Sequence, residues 1–397
     1  DTSQIREDPR MREASSDMRC LSIVCWSYAT LGIRDQPLFG VIADLTLSRW
    51  HELKPFEASN VLWAFSKLNM LDSHFLKGVV PLLTQMDFDD TSPQVISTIC
   101  WAFGRASCHP KDLFKKLTHL LYRSADKLAP QGIANTLWAF AQIQRQDTAL
   151  FKRLGEAALR ANVSNFKPQE LSNIAWAFAS MRQPFPVLFD CIARGVLNQL
   201  SELQTQNISS IVWAFAKVQP DSPACARLFD PLLALAASKI KLHKPKEIST
   251  LLWGISHIPE WRRWEATYIP VFLREIKGRL DTFPPQSLAC TADALTSTTL
   301  CQPEMFELVI RKSLSKLPTF EPPSLTMLFR TLTEEVLRRP ECHELHEYLW
   351  TMSEHIAASW EAMLTHHVEH FASTLQIPPP DLCSAHENLT FLCLGGS

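Results

Sequence analysis

Glycine is scarce in this chain, 11 of 397 residues, and no GxGxxG or GxxxxGK[ST] string occurs, which excludes the nucleotide-binding loops built on those patterns. No uncharged apolar run approaches the roughly 18–20 residues of a spanning helix, so no membrane span is expected. Strand-like alternation of apolar and polar residues is missing throughout, which argues against a β or α/β fold. No GxSxG is present, and no Ser or Cys stands out as a nucleophile. The 11 cysteines include no CxxC pair and follow no regular framework. Several, such as Cys25, Cys100 and Cys290, sit inside apolar runs and read as buried reduced thiols of an intracellular or organellar protein. Tyrosine is rare (4) beside 12 tryptophans, an imbalance that a repeat explains.

With 46% hydrophobic and 20% charged residues the chain can bury a large core, and its composition is neither collagen-like nor that of a disordered protein. The formal net charge of −2 hides a segregation. Residues 1–99 sum to −4, residues 100–280 to +11, and residues 281–397 to −9. A basic middle favours a polyanionic partner, whereas the acidic ends do not.

The strings CWSYA, LWAFS, CWAFG, LWAFA, AWAFA, VWAFA and LWGIS recur along the chain. Their tryptophans, Trp26, Trp63, Trp101, Trp138, Trp176, Trp213 and Trp253, are 37 to 40 residues apart. Two degenerate copies follow, with Asp293 and Arg330 at the tryptophan position, giving about nine copies over residues 17–340. Eight residues before that position stands a proline in seven copies: Pro55, Pro93, Pro130, Pro168, Pro245, Pro285 and Pro322. Proline suits the first turn of a helix, where its missing N–H would be unbonded in any case. After a short polar break comes a second helical pattern, seen in ALFKRLGEAALRA (149–161) and DLFKKLTHLLYRS (112–124). Each copy therefore reads as a helix–turn–helix unit.

On a helical wheel of LSNIAWAFA (171–179), Leu171, Ile174, Ala175 and Phe178 cluster on one side. Trp176 points roughly opposite, flanked by Ser172, Ala177 and Ala179. A helix apolar on two faces cannot cover a lone hairpin. One face is expected on its own second helix and the other on the neighbouring repeat, so the fold class is all-α, an α-solenoid of about nine helix–turn–helix repeats.

The LSNIAWAFA block at this spacing, opened by Pro-Gln in Pro93-Gln94, Pro130-Gln131 and Pro168-Gln169, resembles the octotricopeptide repeat. It is similar to the helical repeats of proteins with a C-terminal RAP domain in algae, apicomplexans and dinoflagellates; no RAP domain is recognisable at this C-terminus. The resemblance implies a mitochondrial or plastid RNA-binding protein acting in RNA maturation, stability, translation or organellar ribosome assembly, with the mitochondrion favoured. It implies RNA, ribosomal RNA included, and other subunits of a ribonucleoprotein as partners.

A polar stripe marks where RNA would sit. Three residues before the tryptophan stand Asn60, Thr98, Asn135, Asn173, Ser210 and Thr250; four after it stand Lys67, Arg105, Gln142, Ser180, Lys217 and His257. These positions share one helix face, with Ala or Gly between them one residue after the tryptophan. Amides and hydroxyls can pair with base edges, one base per repeat, and the cations can hold phosphates. The competing reading is a polar ridge between helices, since Ser, Thr and Asn also bond within helices. A second basic set, Lys115, Lys116, Lys152, Arg153, Lys239, Lys241, Lys244 and Lys246, reads as a solvated outer face or a contact for a larger structured RNA. The alternative to RNA binding is a protein–protein scaffold made of the same helices.

Neither catalysis nor a metal or other cofactor is expected. His343, His346, His366, His367 and His370 stand among glutamates without an HExxH pattern, although His366 and His370 have a chelating spacing. Asp87, Asp89 and Asp90 fall where an inter-helix turn is expected, ahead of Pro93. The ends differ from the middle: 1–16 read as a flexible arm, 341–376 as capping helices with Trp350 and Trp360 packed inward, and 377–397 as an extended tail.

Overall fold

The computed structural model describes residues 17–297 and 303–358. Among them there are eighteen α-helices and no strand, and helix packs on successive helix as in an all-α solenoid. The described residues group into two compact units, one of residues up to 243 with 257–268, the other of 244–256 with residues from 269 on.

The first unit holds six helix pairs. They are α1 (Met18–Leu31) with α2 (Gln36–Ser48), α3 (Pro55–Lys67) with α4 (Ser73–Gln85), and α5 (Pro93–Arg105) with α6 (Lys111–Ser124). Next come α7 (Pro130–Gln142) with α8 (Thr148–Arg160), α9 (Pro168–Ser180) with α10 (Pro186–Asn198), and α11 (Thr205–Val218) with α12 (Pro223–Ser238). The odd helices, which carry the tryptophan blocks, pack side by side in one layer, and the even helices do so in a second. The second unit contains α13 (Pro245–Ser256), α14 (Ile269–Arg279), α15 (Pro285–Ser297), α16 (Pro303–Leu314), α17 (Pro322–Arg338) and a last helix over 343–358.

Every marker proline opens its helix as expected. Two copies lack it: the first starts at Met18, where the Asp17 side chain accepts from the Arg19 backbone N–H, and the other at Thr205, where the side chain of Asn207 accepts from the Gln204 backbone N–H. Three even helices, α2, α4 and α8, are opened by capping side chains: Asp35, Asp72 and Asp147 each accept from a backbone N–H three residues on. Six residues after the tryptophan the backbone turns left-handed in five successive copies, at Gly32, Asn69, Ser107, Gln144 and Arg182 (φ 51 to 71°). There the chain closes the helix with paired backbone bonds, for example Asn69 N–H to the Ser66 carbonyl and Met70 N–H to that of Phe65.

The helix–turn–helix reading needs one addition. A 3-10 turn precedes most odd helices, as at Trp50–Glu52, Ala125–Lys127, Val163–Asn165, Leu200–Glu202 and Ile240–Leu242, so helical elements outnumber two per copy. Side chains within the next even helix or just past its end reach back to carbonyls of the connections between copies. Lys116 donates to Thr84 and Met86, Gln199 to Phe166, and Lys239 to Leu203. The second basic set is thus divided. Lys116 and Lys239 tie one copy to the last, and Arg153 joins Arg160 on Asp126, whose carboxyl they hold down at about 2. Lys115, Lys152, Lys241, Lys244 and Lys246 face solvent.

The core runs between the two layers. Phe65, Phe103, Phe140, Phe178 and Phe215, two residues after each tryptophan, are at most 2% exposed. They meet rings from the even helices, as in Phe65–Phe75 (4.7 Å), Phe114–Phe140 (5.5 Å), Phe151–Phe178 (5.3 Å) and Phe189–Phe215 (5.0 Å). Each such burial contributes about 1.5–3 kcal/mol before entropy is counted. Between neighbouring odd helices the residue after each tryptophan, Ala64, Ala102, Ala139, Ala177 or Ala214, is fully buried. Ser66 Oγ donates to the Ala102 carbonyl across this seam.

The described cysteines form no disulfide, and burial pushes the thiols of Cys25, Cys225 and Cys290 up to about 12. Trp350 departs from its expected inward packing and is 68% exposed. Leu345 and Met352, seven apart on the helix, take the buried face and leave Trp350 on the other side. Trp360, the arm over 1–16 and the tail over 377–397 lie outside the described residues.

The seam makes a prediction with two signs. A Cβ on Gly104 would stand 2.8 Å from Ala139 Cα, whereas one on Gly40, inside α2, meets nothing within 4 Å. Gly104→Ala is expected to destabilise by about 1–3 kcal/mol through overpacking, and Gly40→Ala to stabilise by about 0.5–1 kcal/mol through helix propensity. Denaturant unfolding of both variants checks this; a gain in both would show that the helices are not in close contact there.

Candidate nucleic-acid interface

In the first unit the tryptophans and the polar stripe form one surface. Positions three before, at, and four after the tryptophan project within about 60° of one another on a helix of 3.6 residues per turn. The structure leaves that sector only partly covered: Asn60, Asn135, Asn173, Thr98 and Ser210 are half-buried, and Lys67, Arg105, Gln142 and Lys217 are exposed. Ser180 is half-buried. These are ten of the twelve expected site residues, and none of the ten is sealed in a seam between repeats.

The sequence pattern puts a small residue between the two rows. The structure corrects this: that alanine is buried between helices, and the tryptophan itself lies between the rows. A residue one step past the tryptophan is rotated a further 100°, into the neighbouring helix. Trp26, Trp63, Trp101, Trp138 and Trp176 form a ladder with successive ring centroids 6.3, 6.5, 6.3 and 6.5 Å apart and planes inclined by 26 to 34°. The face expected to pack on the neighbouring repeat does so ring on ring, yet Trp26 stays 47% exposed and the other four half-buried. The recurrence of Trp in register with the stripe was the signal for this second role.

Cations border the ladder. Lys67 Nζ lies 4.7 Å from the centroid of the Trp63 ring and the Arg105 guanidinium 5.7 Å from that of Trp101. Arg105 Nε also donates to the Ser66 carbonyl at 2.9 Å, so this arginine is held in place while its side chain remains exposed. The row before the tryptophan is not uniform. Thr98 donates to the Gln94 carbonyl of its own helix (2.9 Å). Among the described residues, the amides of Asn60, Asn135 and Asn173 bond no protein group, and none of their polar atoms is sealed from solvent. Three repeats thus present unpaired amides, each able to donate and accept at once.

The last expected pair, Thr250 and His257, is divided between the two units. Thr250, in the second unit, donates to its own helix at the Lys246 carbonyl. His257 stands in a turn of the first unit, because α13 ends at Ser256 and Ile258, preceding Pro259, disfavours helical backbone. Within the second unit the tryptophan slot changes chemistry. Trp253 is buried and donates through Nε1 to Asp293 Oδ2 at 2.9 Å, and Asp293 Oδ1 accepts from Arg330 Nη2 at 2.7 Å. The two degenerate copies therefore replace ring stacking by a hydrogen-bonded ion pair at the same register. The positions three before are Cys290 and Met327, which cannot read a base edge as Asn does.

Among the described residues no cluster of three His, Cys, Asp or Glu stands close enough to hold a metal ion. Asp87, Asp89 and Asp90 lie in the turn ahead of Pro93, with Asp89 N–H bonded to Asp87. His346 bonds the Pro340 carbonyl; His366, His367 and His370 lie outside the described residues. No described helix is long and apolar enough to cross a membrane.

Asp293→Ala strands the buried Trp253 N–H and is expected to lower stability by about 1–3 kcal/mol, with Asp293→Asn losing less because an acceptor remains. Urea unfolding of both variants measures it, and equal stability of Asp293→Ala and wild type would contradict the assignment.

Compared with known proteins, the chain matches the RNA-editing substrate-binding complex 6 protein family over residues 11–257, more than half of its length. No curated protein gives a significant match. The matched span takes in the tryptophan ladder and the whole row of unpaired amides, and the chain belongs to the RNA-editing substrate-binding complex 6 protein family.

Proposed function

We propose that this protein is a non-enzymatic RNA-binding scaffold subunit of a mitochondrial RNA-editing assembly, holding single-stranded or irregular RNA along the tryptophan face of its first unit. The observation that carries the reading is the file of solvent-reaching, unpaired amides at Asn60, Asn135 and Asn173, in register with the repeat and bordered by Lys67 and Arg105. Amides offering a donor and an acceptor suit base edges, and cations beside them suit phosphates. The basic balance of residues 100–280 supports a polyanion on this part of the chain. The name of the family speaks of an editing substrate, which favours such an RNA over ribosomal RNA. The octotricopeptide character of the repeat rests on the WAF block and its spacing of 37 to 40 residues.

A protein–protein scaffold with little RNA contact is the second reading. It is favoured by the outer face of α1 and the turn after it, where Ile23, Leu31 and Ile33 are 52%, 71% and 48% exposed. Such apolar exposure suits a partner subunit.

Anisotropy titration of a labelled single-stranded RNA separates the two. Affinity is expected to fall steeply with salt as counterions are released. Asn135→Ala with Asn173→Ala is expected to lose roughly 1–3 kcal/mol for each base contact, with the melting temperature unchanged because neither amide bonds the protein. Lys67→Glu is expected to weaken binding to all sequences alike. Affinity indifferent to all three changes would favour the protein scaffold.

A further inference from the structure

The mode of RNA binding follows from the indole nitrogens. Among the described residues, Nε1 of Trp63, Trp101, Trp138 and Trp176 donates to no protein acceptor, and none of these four atoms is sealed from solvent. Where the same position becomes buried, at Trp253, the protein supplies Asp293 as acceptor. The fold therefore satisfies this N–H where it is enclosed and leaves it open along the ladder. An indole N–H can only donate, so a row of them calls for a row of acceptors. The ring spacing of 6.3 to 6.5 Å is close to twice the ~3.4 Å step of a stacked nucleic-acid strand. A strand with its bases splayed apart, as in single-strand recognition, can advance one nucleotide per ring. The side chains of Lys67 and Arg105 lie beside the same rings and supply the positive field that phosphates require.

We infer that the indole N–H groups of Trp63, Trp101, Trp138 and Trp176 bind backbone oxygens of a single-stranded RNA, one nucleotide per repeat, while the neighbouring asparagines face its bases. This rests on the proposed RNA-binding reading and adds a division of labour to it. The tryptophans set register without sequence preference, and the amides discriminate.

Trp→Phe tests it, because phenylalanine keeps an aromatic ring in the ladder and removes only the donor and part of the ring. Trp138→Phe and Trp176→Phe are titrated against 12-nucleotide oligo-U and oligo-A RNA, with melting curves confirming the fold. Each substitution is expected to reduce affinity about tenfold, the worth of a hydrogen bond to a charged acceptor, and equally for both oligomers. Trp253→Phe, whose N–H is already bonded inside the second unit, is expected to leave affinity unchanged. The same losses with DNA oligomers assign the contacts to phosphate; losses confined to RNA assign them to the ribose 2′-hydroxyl. Unaltered affinity in Trp138→Phe and Trp176→Phe, with Asn135→Ala still weakening binding, would overturn the inference and leave RNA binding on this face intact. No binding of either RNA by the wild-type chain would overturn both.

Discussion

Two aromatic residues two positions apart on an α-helix point about 200° away from each other. That constraint, repeated in the WAF block, organises the first unit. The phenylalanine enters the core between the two helical layers, where it is at most 2% exposed. The tryptophan is thereby forced to the far side of the helix. The alanine between them and the Ser, Gly or Ala after them let the next helix come close enough for ring to meet ring. Stability and the exposed aromatic edge arise from one local pattern, since neither ring can occupy the other's side without turning the helix over.

The face that results carries chemistry because packing cannot claim it. Covering the tryptophan row fully would need a third helical layer on the first unit, and among the described residues its odd helices pack chiefly on even helices and on one another. Side chains beside the row are therefore free of packing demands and can be amide, hydroxyl or cation. Enclosing the slot, as the second unit does, reverses the outcome. Trp253, Asp293 and Arg330 satisfy one another there, and the neighbouring positions lose their asparagines. Lys116 and Lys239, in the other layer, bond carbonyls of the preceding copy and serve cohesion, as Arg105 does through Ser66 while staying exposed beside Trp101.

Much of this was legible in the sequence because it depends on spacing. Pro55, Pro93 and Pro130 announce helix starts, and 37- to 40-residue spacing announces stacking. The stripe residues could be placed on one face by counting. The residue between the rows could not be found that way: a 100° step hides the alanine and leaves the tryptophan at the surface. His257 stands in a turn past the end of α13, a helix end that Pro259 signals locally. Trp350 shows the opposite limit, because large apolar residues are not always inside, and only the competing claims of Leu345 and Met352 decide its side. The family match over residues 11–257 agrees with an RNA-binding helical repeat and leaves the octotricopeptide likeness as a likeness.

Photo-crosslinking tests the central claim most directly. The full chain is bound to a 4-thiouridine-containing single-stranded RNA, irradiated, digested and mapped by mass spectrometry. Crosslinks on α3, α5, α7 and α9 at Trp63, Trp101, Trp138, Trp176 or the asparagines beside them are the predicted result. Crosslinks confined to the even helices, with the tryptophan face unmodified, would contradict the account.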